Sequence, residues 1–426
     1  MFNFSFIIII MFLKNLQLKN FRNYNELNLN FNKDTILVVG DNGKGKTNLL
    51  ESIYYVSSGS SHRTNEQVEL ISWGNDYAVI RAFFAGDDIN GKQDEHLVEL
   101  ELRKDGTCRV KIDGVYYQRK ADFISVLPSV IFSPDDLRII KSGPSSRRDF
   151  LDDVLKRTEG RRNGEFFILK NHYQKVLNHR NSLIKSISGD GDSYNQKSSL
   201  SLDTWNESLL NYGCRIIEKR IKLLSDFKKD FACFINLFFP EVKAEIKYVF
   251  SWDRKISADS NFSNLRYKNS PCEFPAPEDT IGEDTALENS LINLKEKFCL
   301  KLKENLRKDL IYKTTITGPH RDDFKILING KDIKSFGSQG QQRIAVICLK
   351  LCEVNILKEK RKTKPVLLLD DVLSELDNEK KRLLIEILKN NSFQTFITTA
   401  NLDIFEKLDL GYAENFFIKE NRIFQQ

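Results

Sequence analysis

Gly40-Asp41-Asn42-Gly43-Lys44-Gly45-Lys46-Thr47, with Asn48 after it, is the stretch on which the reading of this chain turns. It satisfies G-x-x-x-x-G-K-[ST] at every fixed position. The glycines let backbone amides close around phosphate, and the N-terminus of the following helix points at the same anion. Lys46 is expected to reach the β- and γ-phosphates of a nucleoside triphosphate, read as ATP, and the Thr47 hydroxyl to ligate Mg²⁺. The flanks support this. Ile36-Leu37-Val38-Val39 is apolar at every position, as a strand buried on both faces must be, and residues 47–56 read as a helix.

Working outward, residues 12–21 alternate and form a first strand. Residues 77–85, 97–103 and 107–113 alternate with period two, and Asp105-Gly106 supplies hairpin-turn chemistry between the last two. An antiparallel sheet beside the nucleotide core is expected. From 144 to 235 the pattern is helical and rich in Lys and Arg, with the polar, Ser-rich stretch 186–203 read as a loop at a helical tip. Residues 254–284, holding Pro271, Pro275 and Pro277, read as irregular, and a helix over 285–311 returns the chain. After Thr314 the α/β pattern resumes. The expected boundaries are 11–140 and 315–426 for the two parts of an ATPase lobe, with a helical lobe over 141–314 inserted between them.

Val366-Leu367-Leu368-Leu369-Asp370-Asp371 is an apolar strand that delivers carboxylates at its C-terminal end. That is the Walker B arrangement, with Asp370 on the metal's hydration shell and Asp371 placed to orient or deprotonate an attacking water. Ser338-Gln339-Gly340-Gln341-Gln342-Arg343 precedes a helix read over 343–358. Taken alone, Ser338 is an ordinary N-cap. Placed upstream of the Walker B carboxylate, S-x-G-x-Q resembles the signature motif of ABC-type ATPases. That resemblance implies that Ser338, Gly340 and Gln341 of one subunit close on the γ-phosphate held by another, so that ATP joins a homodimer. Ser374-Glu375-Leu376-Asp377 matches the D-loop of those ATPases, and Asp377 is equally an N-cap for helix 378–390.

The fold class is therefore α/β and, by that resemblance, a P-loop ABC-type ATPase head with an inserted, mostly helical second lobe. Composition agrees with a globular protein of two lobes: 426 residues, 41% hydrophobic, 29% charged, net charge +6. That charge permits a nucleic-acid partner without requiring one. Seven cysteines with no C-x-x-C pair indicate neither a disulfide framework nor a zinc site; a reducing, cytoplasmic location is expected. The opening run MFNFSFIIII is too short to span a bilayer and lacks a basic n-region, so no membrane partner is expected. Met11 is read as the natural start, with 1–10 an upstream extension.

Further segments narrow the family. Leu18-Lys19-Asn20-Phe21-Arg22-Asn23-Tyr24, Ser61-His62-Arg63-Thr64, Phe132-Ser133-Pro134-Asp135-Asp136-Leu137, the Gly143-Pro144 to Asp152 stretch and Thr317-Gly318-Pro319-His320-Arg321-Asp322-Asp323 resemble, in order, segments of the RecF family of bacterial recombination-repair proteins. The resemblance runs from about residue 11 to 400. It implies an SMC-like head that dimerises on ATP, binding to gapped DNA or single-strand/double-strand junctions, work with RecR and RecO, loading of the recombinase RecA, and roles in replication restart and the SOS response. It also implies slow, DNA-stimulated ATP hydrolysis. Two departures from ABC transporters matter: Asp371 stands where they carry the longer Glu, which fits slow turnover, and no His follows Phe396-Ile397-Thr398-Thr399-Ala400, leaving Thr398 or Thr399 to sense the γ-phosphate. The alternatives are an ABC transporter's nucleotide-binding subunit, which the long helical insertion disfavours, and a structural SMC-type head.

Between Arg147 and Arg180 lie nine basic residues: 147, 148, 156, 157, 161, 162, 170, 175 and 180. Five acidic ones share the window, and a solvated helical face explains the surplus as well as a phosphate-tracking DNA surface does.

Overall fold

The computed structural model describes residues 10–87, 93–117, 127–159, 164–189, 196–257, 283–390, 393–400, 413–419 and 422–425. Its first elements are strands β1 (Ile10–Phe21), β2 (Tyr24–Asn30) and β3 (Thr35–Val39), helix α1 (Lys46–Ser58), and strands β4 (Tyr77–Asp87), β5 (Gln93–Arg103), β6 (Cys108–Ile112), β7 (Val115–Tyr117) and β8 (Ser129–Phe132). Helices α2 (Arg138–Lys141), α3 (Pro144–Thr158), α4 (Glu165–Gly189) and α5 (Gln196–Phe238) follow, then β9 (Ala244–Phe250), β10 (Asp253–Ser257), α6 (Glu283–Glu304) and α7 (Leu306–Tyr312). The chain closes with β11 (Asp323–Ile328), β12 (Lys331–Asp332), α8 (Ile333–Phe336), α9 (Gln339–Arg361), β13 (Val366–Asp370), α10 (Asn378–Asn390), β14 (Thr395–Thr399), β15 (Glu414–Lys419) and β16 (Arg422–Gln425).

The central sheet has the order β16-β15-β3-β14-β13-β8, parallel except for β16. Its apolar runs reflect burial on both faces. Ile36, Val38, Leu368 and Phe396 pack into one core, toward α1 and the antiparallel sheet β2-β1-β4-β5-β6-β7. Leu37, Val39, Leu367, Leu369 and Ile397 point the other way, into a core shared with α3, α5 and α9. Fully burying each such side chain contributes about 1.5–3 kcal/mol. The first strand is locked to the far end of the chain, because the Gln394 amide both donates to Leu13 O (2.8 Å) and accepts from Leu13 N (2.7 Å).

Three parts of the sequence reading need correction. The Ser-rich stretch 186–203 is largely helical: α4 runs to Gly189 and α5 begins at Gln196, leaving only 190–195 outside the described residues. Packing of Leu202, Leu209 and Leu210 into the core overrides the weak helix preference of the serines. The helix expected over 285–311 is two, broken at Asn305, whose side chain donates to Thr317 Oγ1 (3.1 Å). Finally, the lobe expected over 141–314 to be mostly helical also holds β9, which pairs with β11 of the C-terminal part. Most of the irregular stretch 254–284 lies outside the described residues, as do 1–9. Among the described residues no helix is long and apolar enough to cross a membrane.

Candidate functional site

β3, ending at Val39, delivers the glycine-rich turn between the C-terminal ends of its neighbours β14 and β15. Gly40 N donates to Thr399 O (3.2 Å), and a Cβ at Gly40 would press on Ile418. Gly45 has φ +106°, a region costly for any residue with a Cβ. A methyl there would come within 2.5 Å of Asn23 Nδ2 and 2.8 Å of Tyr24 Oη. Those two side chains form the wall behind the loop: Asn23 donates to Lys44 O (3.3 Å), Tyr24 Oη to Gly45 O (3.1 Å), and Asn48 donates to Asn23 Oδ1 (2.8 Å).

Lys46 is almost fully buried, and its ammonium donates to Gly40 O (2.5 Å) and Asp41 O (3.0 Å). Burial lowers its pKa, while Asp371 and then Asp370 pull the other way, so the ammonium lies within the field of both strand-end carboxylates. Thr47 Oγ1 donates to Asp370 Oδ1 (3.0 Å). Residues from opposite ends of the sequence thus meet at the mouth of the loop. Asp370 is buried, and that burial raises its carboxyl pKa despite the bonds from Thr47 and Thr398.

Asp371 is held differently. It adopts φ +52°, an uncommon backbone conformation for a residue with a Cβ, and such strain concentrates where geometry matters. Its N–H donates to Thr398 Oγ1 (3.0 Å), and its buried Oδ1 accepts no hydrogen bond among the described residues. A buried carboxylate oxygen without a donor is a costly arrangement, and it marks a place where something is received. The expectation that Thr398 or Thr399 faces a γ-phosphate is not what the fold provides. Thr398 is fully enclosed, with its hydroxyl donating to Asp370 Oδ1 (2.9 Å). Thr399 is buried and offers its carbonyl to Gly40. Thr398 is therefore a clamp on the Asp370 carboxylate and the Asp371 backbone.

Two segments flagged only by resemblance complete the wall. Glu51 of α1 is fully buried and accepts a bidentate pair of bonds from Arg22 (2.8 and 2.8 Å) and one from Ser61 (2.5 Å). Burial would raise this carboxyl, yet those bonds together hold it below its usual range. Arg63 donates to Asn48 Oδ1 (2.9 Å). The roles of Arg22, Asn23 and Arg63 were not legible from spacing, because each depends on a partner about 12 to 29 positions away.

Ser338, Gly340 and Gln341 lie elsewhere. Ser338 caps α9 in a reciprocal box with Gln341, whose N–H donates to Ser338 Oγ (3.2 Å) while Ser338 N donates to Gln341 Oε1 (2.9 Å). Ser338 and Gly340 are exposed, beside Phe336 at 73% exposure. Among the described residues none of 338–341 hydrogen-bonds to any of 40–48. Arg343 ties the helix to the segment after β13 through Glu375 (2.9 Å). Asp377 is an N-cap, accepting from Lys380 N (3.0 Å).

The described basic residues of the window 147–180 prove mostly to be bonded within the fold. Arg147 makes a bidentate pair with Asp323 (2.6 and 2.9 Å), and Arg148 donates to Asp322 O (2.8 Å). Arg157 bridges Glu353 and Asp153, Lys170 pairs with Asp152 (2.7 Å), and Arg180 with Asp309 (2.8 Å). Neither a solvated face nor a DNA surface accounts for these five. They stitch α3 and α4 to the rest of the fold; Arg161 and Arg162 lie outside the described residues.

The Thr317–Asp323 segment is likewise a structural hub. Gly318 has φ +135°, with Tyr173 Oη 2.6 Å from where its Cβ would lie. Pro319 O accepts from Arg220 (2.7 Å), His320 bridges Tyr173 Oη (2.7 Å) and Thr315 O (2.9 Å), and Asp322 accepts from Tyr248 Oη (2.7 Å).

With this geometry in hand, comparison with known proteins is informative. Residues 12–419 match the family described as RecF/RecN/SMC N terminal domain. The chain is 35% identical over 400 residues to the DNA replication and repair protein RecF of Clostridium novyi, covering 94% of this chain and 96% of that one. Among solved structures it is similar to the recombination mediator protein RecF-ATPrS in the RecFOR pathway, with TM-score 0.77, 32% identity, and 99% and 100% of the two chains covered. A Pyrococcus furiosus Smc head domain bound to the C-terminal domain of ScpA shares the fold at TM-score 0.50 and 14% identity, covering 98% and 96%.

Proposed function

This chain belongs to the RecF family, and from that premise we propose that it is an ATP-switched DNA-binding protein of replication and recombinational repair. Its fold is that of an SMC-like, ABC-type ATPase head. Residues 40–48 hold the triphosphate of ATP, with Lys46 turned from its loop carbonyls to the phosphates. The all-oxygen pair of Thr47 and Asp370 suits Mg²⁺, which is held through one or two carboxylates and substrate phosphates. Mg²⁺, when bound, neutralises charge building on the phosphate oxygens. Asp371 orients the attacking water with its unbonded Oδ1 and takes up its proton, while Thr398 fixes the carboxylate's backbone.

One observation carries the dimer reading. The loop and both carboxylates converge within one chain, whereas Ser338 and Gly340 are exposed and make no bond to that loop. A second copy supplies Ser338, Gly340 and Gln341, and the capped N-terminus of α9 meets the anion. Hydrolysis is slow, as a short Asp at the base position implies, and acts as a timer. Within this reading the protein acts in the cytoplasm at gapped DNA or single-strand/double-strand junctions with RecR and RecO, supports RecA loading, and so feeds replication restart and the SOS response. Sedimentation with ATP tests it: wild type should shift to a dimer and Lys46→Met should stay monomeric. A variant that dimerises like wild type would overturn the composite site.

A further inference from the structure

α7 presents an outer surface of one kind. Arg307, Lys308, Ile311, Tyr312 and the following Lys313 are all exposed, Ile311 at 67% and Tyr312 at 65%. None of these three cations has an ion-pair partner among the described residues. The acid that composition would set against them is withdrawn: Asp309, the one acidic residue of α7, is fully buried against Arg180. Glu304, just upstream, is paired with Lys301 (2.7 Å).

The surface is also rigidly mounted. Asp309 Oδ1 accepts from Ile316 N (2.9 Å), Asp309 O accepts from Thr314 N (3.1 Å), and Asn305 donates to Thr317 (3.1 Å). Three anchors fix a helix of seven residues, so a ligand meets groups already in place and ordering them costs little. Single exposed apolar residues need no explanation. An exposed aromatic ring and an isoleucine framed by three cations without ion-pair partners, on a helix whose only carboxylate is turned inward, is a different composition. Cations track a phosphate backbone, and a ring face beside them offers a base something to stack on. The bases of a duplex are already stacked and cannot use it.

We propose that this face of α7, with Lys313, binds single-stranded DNA, the unpaired side of whatever junction the protein occupies. The assignment rests on the reading that the chain binds DNA. It is tested by fluorescence anisotropy of the full chain with labelled oligo-dT and with a blunt duplex of equal length, across a salt series. Arg307→Glu/Lys308→Glu should weaken oligo-dT binding by at least about ten-fold and lower the steepness of the log–log salt dependence by roughly 1.4, two single-strand contacts at about 0.7 each. Tyr312→Ala should cost about ten-fold with the salt slope unchanged, and Tyr312→Phe should bind like wild type, since stacking uses the ring and not the hydroxyl. Lys229→Glu, an exposed cation on α5, serves as the charge control and should be silent. ATP-dependent dimerisation, measured on the same preparations, should be unaltered in all of them. Wild-type binding with undiminished binding by the α7 variants overturns this surface and leaves the DNA reading standing. Loss confined to the duplex overturns the single-strand assignment. Absence of wild-type binding to either probe removes the DNA reading itself.

Discussion

Replacing Arg180 with Met removes one member of a completely buried ion pair, and the cost can be worked from its neighbours. Both side chains are 0% exposed. The guanidinium donates to Asp309 Oδ2 (2.8 Å), Thr315 Oγ1 (2.6 Å) and Asn206 Oδ1 (2.8 Å). Burial keeps the Asp309 carboxyl above its usual range even with Arg180 beside it, so the attraction does not fully offset desolvation. Met therefore leaves an uncompensated buried carboxylate and two polar groups short of a donor, which costs about 3–5 kcal/mol. Adding Asp309→Asn removes the charge and still offers an oxygen to Ile316 N. The double variant should recover about 2 kcal/mol of that loss, a coupling of the size expected for groups in direct contact. Urea unfolding followed by far-UV circular dichroism and by Trp205 fluorescence suits the measurement, since Trp205 stacks on His179 (4.9 Å, 11°) next to the site. The Met variant's deficit should also shrink at acid pH, where protonation discharges Asp309. A single-variant cost below about 1 kcal/mol, or single costs that simply add in the double variant, would refute the reasoning.

Two further outcomes are expected. Gly45→Ala combines a left-handed backbone penalty of about 1–2 kcal/mol with displacement of Asn23, and isothermal titration should show ATP binding weakened at least ten-fold; unchanged affinity would mean the wall behind the loop yields freely. For pH dependence, burial pushes His62 and His320 down to about 4, so the unfolded chain binds more protons between 4 and 6.5 and stability rises with pH there. Burial pushes Asp322 up to about 6, so the folded chain holds that proton between 3.8 and 6, and this group alone makes stability fall as pH rises. Near pH 5, His320→Gln should therefore flatten the stability profile relative to wild type by about 1 kcal/mol per pH unit, while Asp322→Asn should steepen it. Identical slopes in urea titrations of all three proteins would show that these groups do not titrate as their burial implies.

The nucleotide site was legible where chemistry is local. Loop, flanking strand and helix occupy one continuous segment, and an apolar strand ending in two carboxylates needs no partner to be recognised. What escaped was non-local. Nothing in the spacing of Arg147 or Arg180 announces Asp323 or Asp309, more than a hundred positions away, so buried ion pairs read as surface charge. The β9 strand carried a period-two signal in Ile246, Tyr248 and Phe250, all buried, but it fell between the helical run ending at 235 and the irregular stretch from 254, and its partner β11 lies more than 70 positions on. The Ser-rich stretch is polar in composition but helical in the fold, because the core beneath it decides. The Thr317–Asp323 segment, marked by resemblance alone, proved to be a joint whose bonds reach α3, α4, α5 and β9.

The order of the central sheet also constrains how the chain can be made. β3, which carries the phosphate loop, lies between β14 and β15, strands whose residues begin at Thr395 and Glu414. During synthesis β3 emerges early and then waits, both hydrogen-bonding edges bare, while more than 350 further residues leave the ribosome. Unpaired apolar edges invite association between nascent chains. The antiparallel sheet can form in the meantime, since all of its strands lie within the first 117 residues, and it can shelter one side of β3. A chain that stopped before Glu414 would hold the complete glycine-rich loop and no β15 on one side of it to press against.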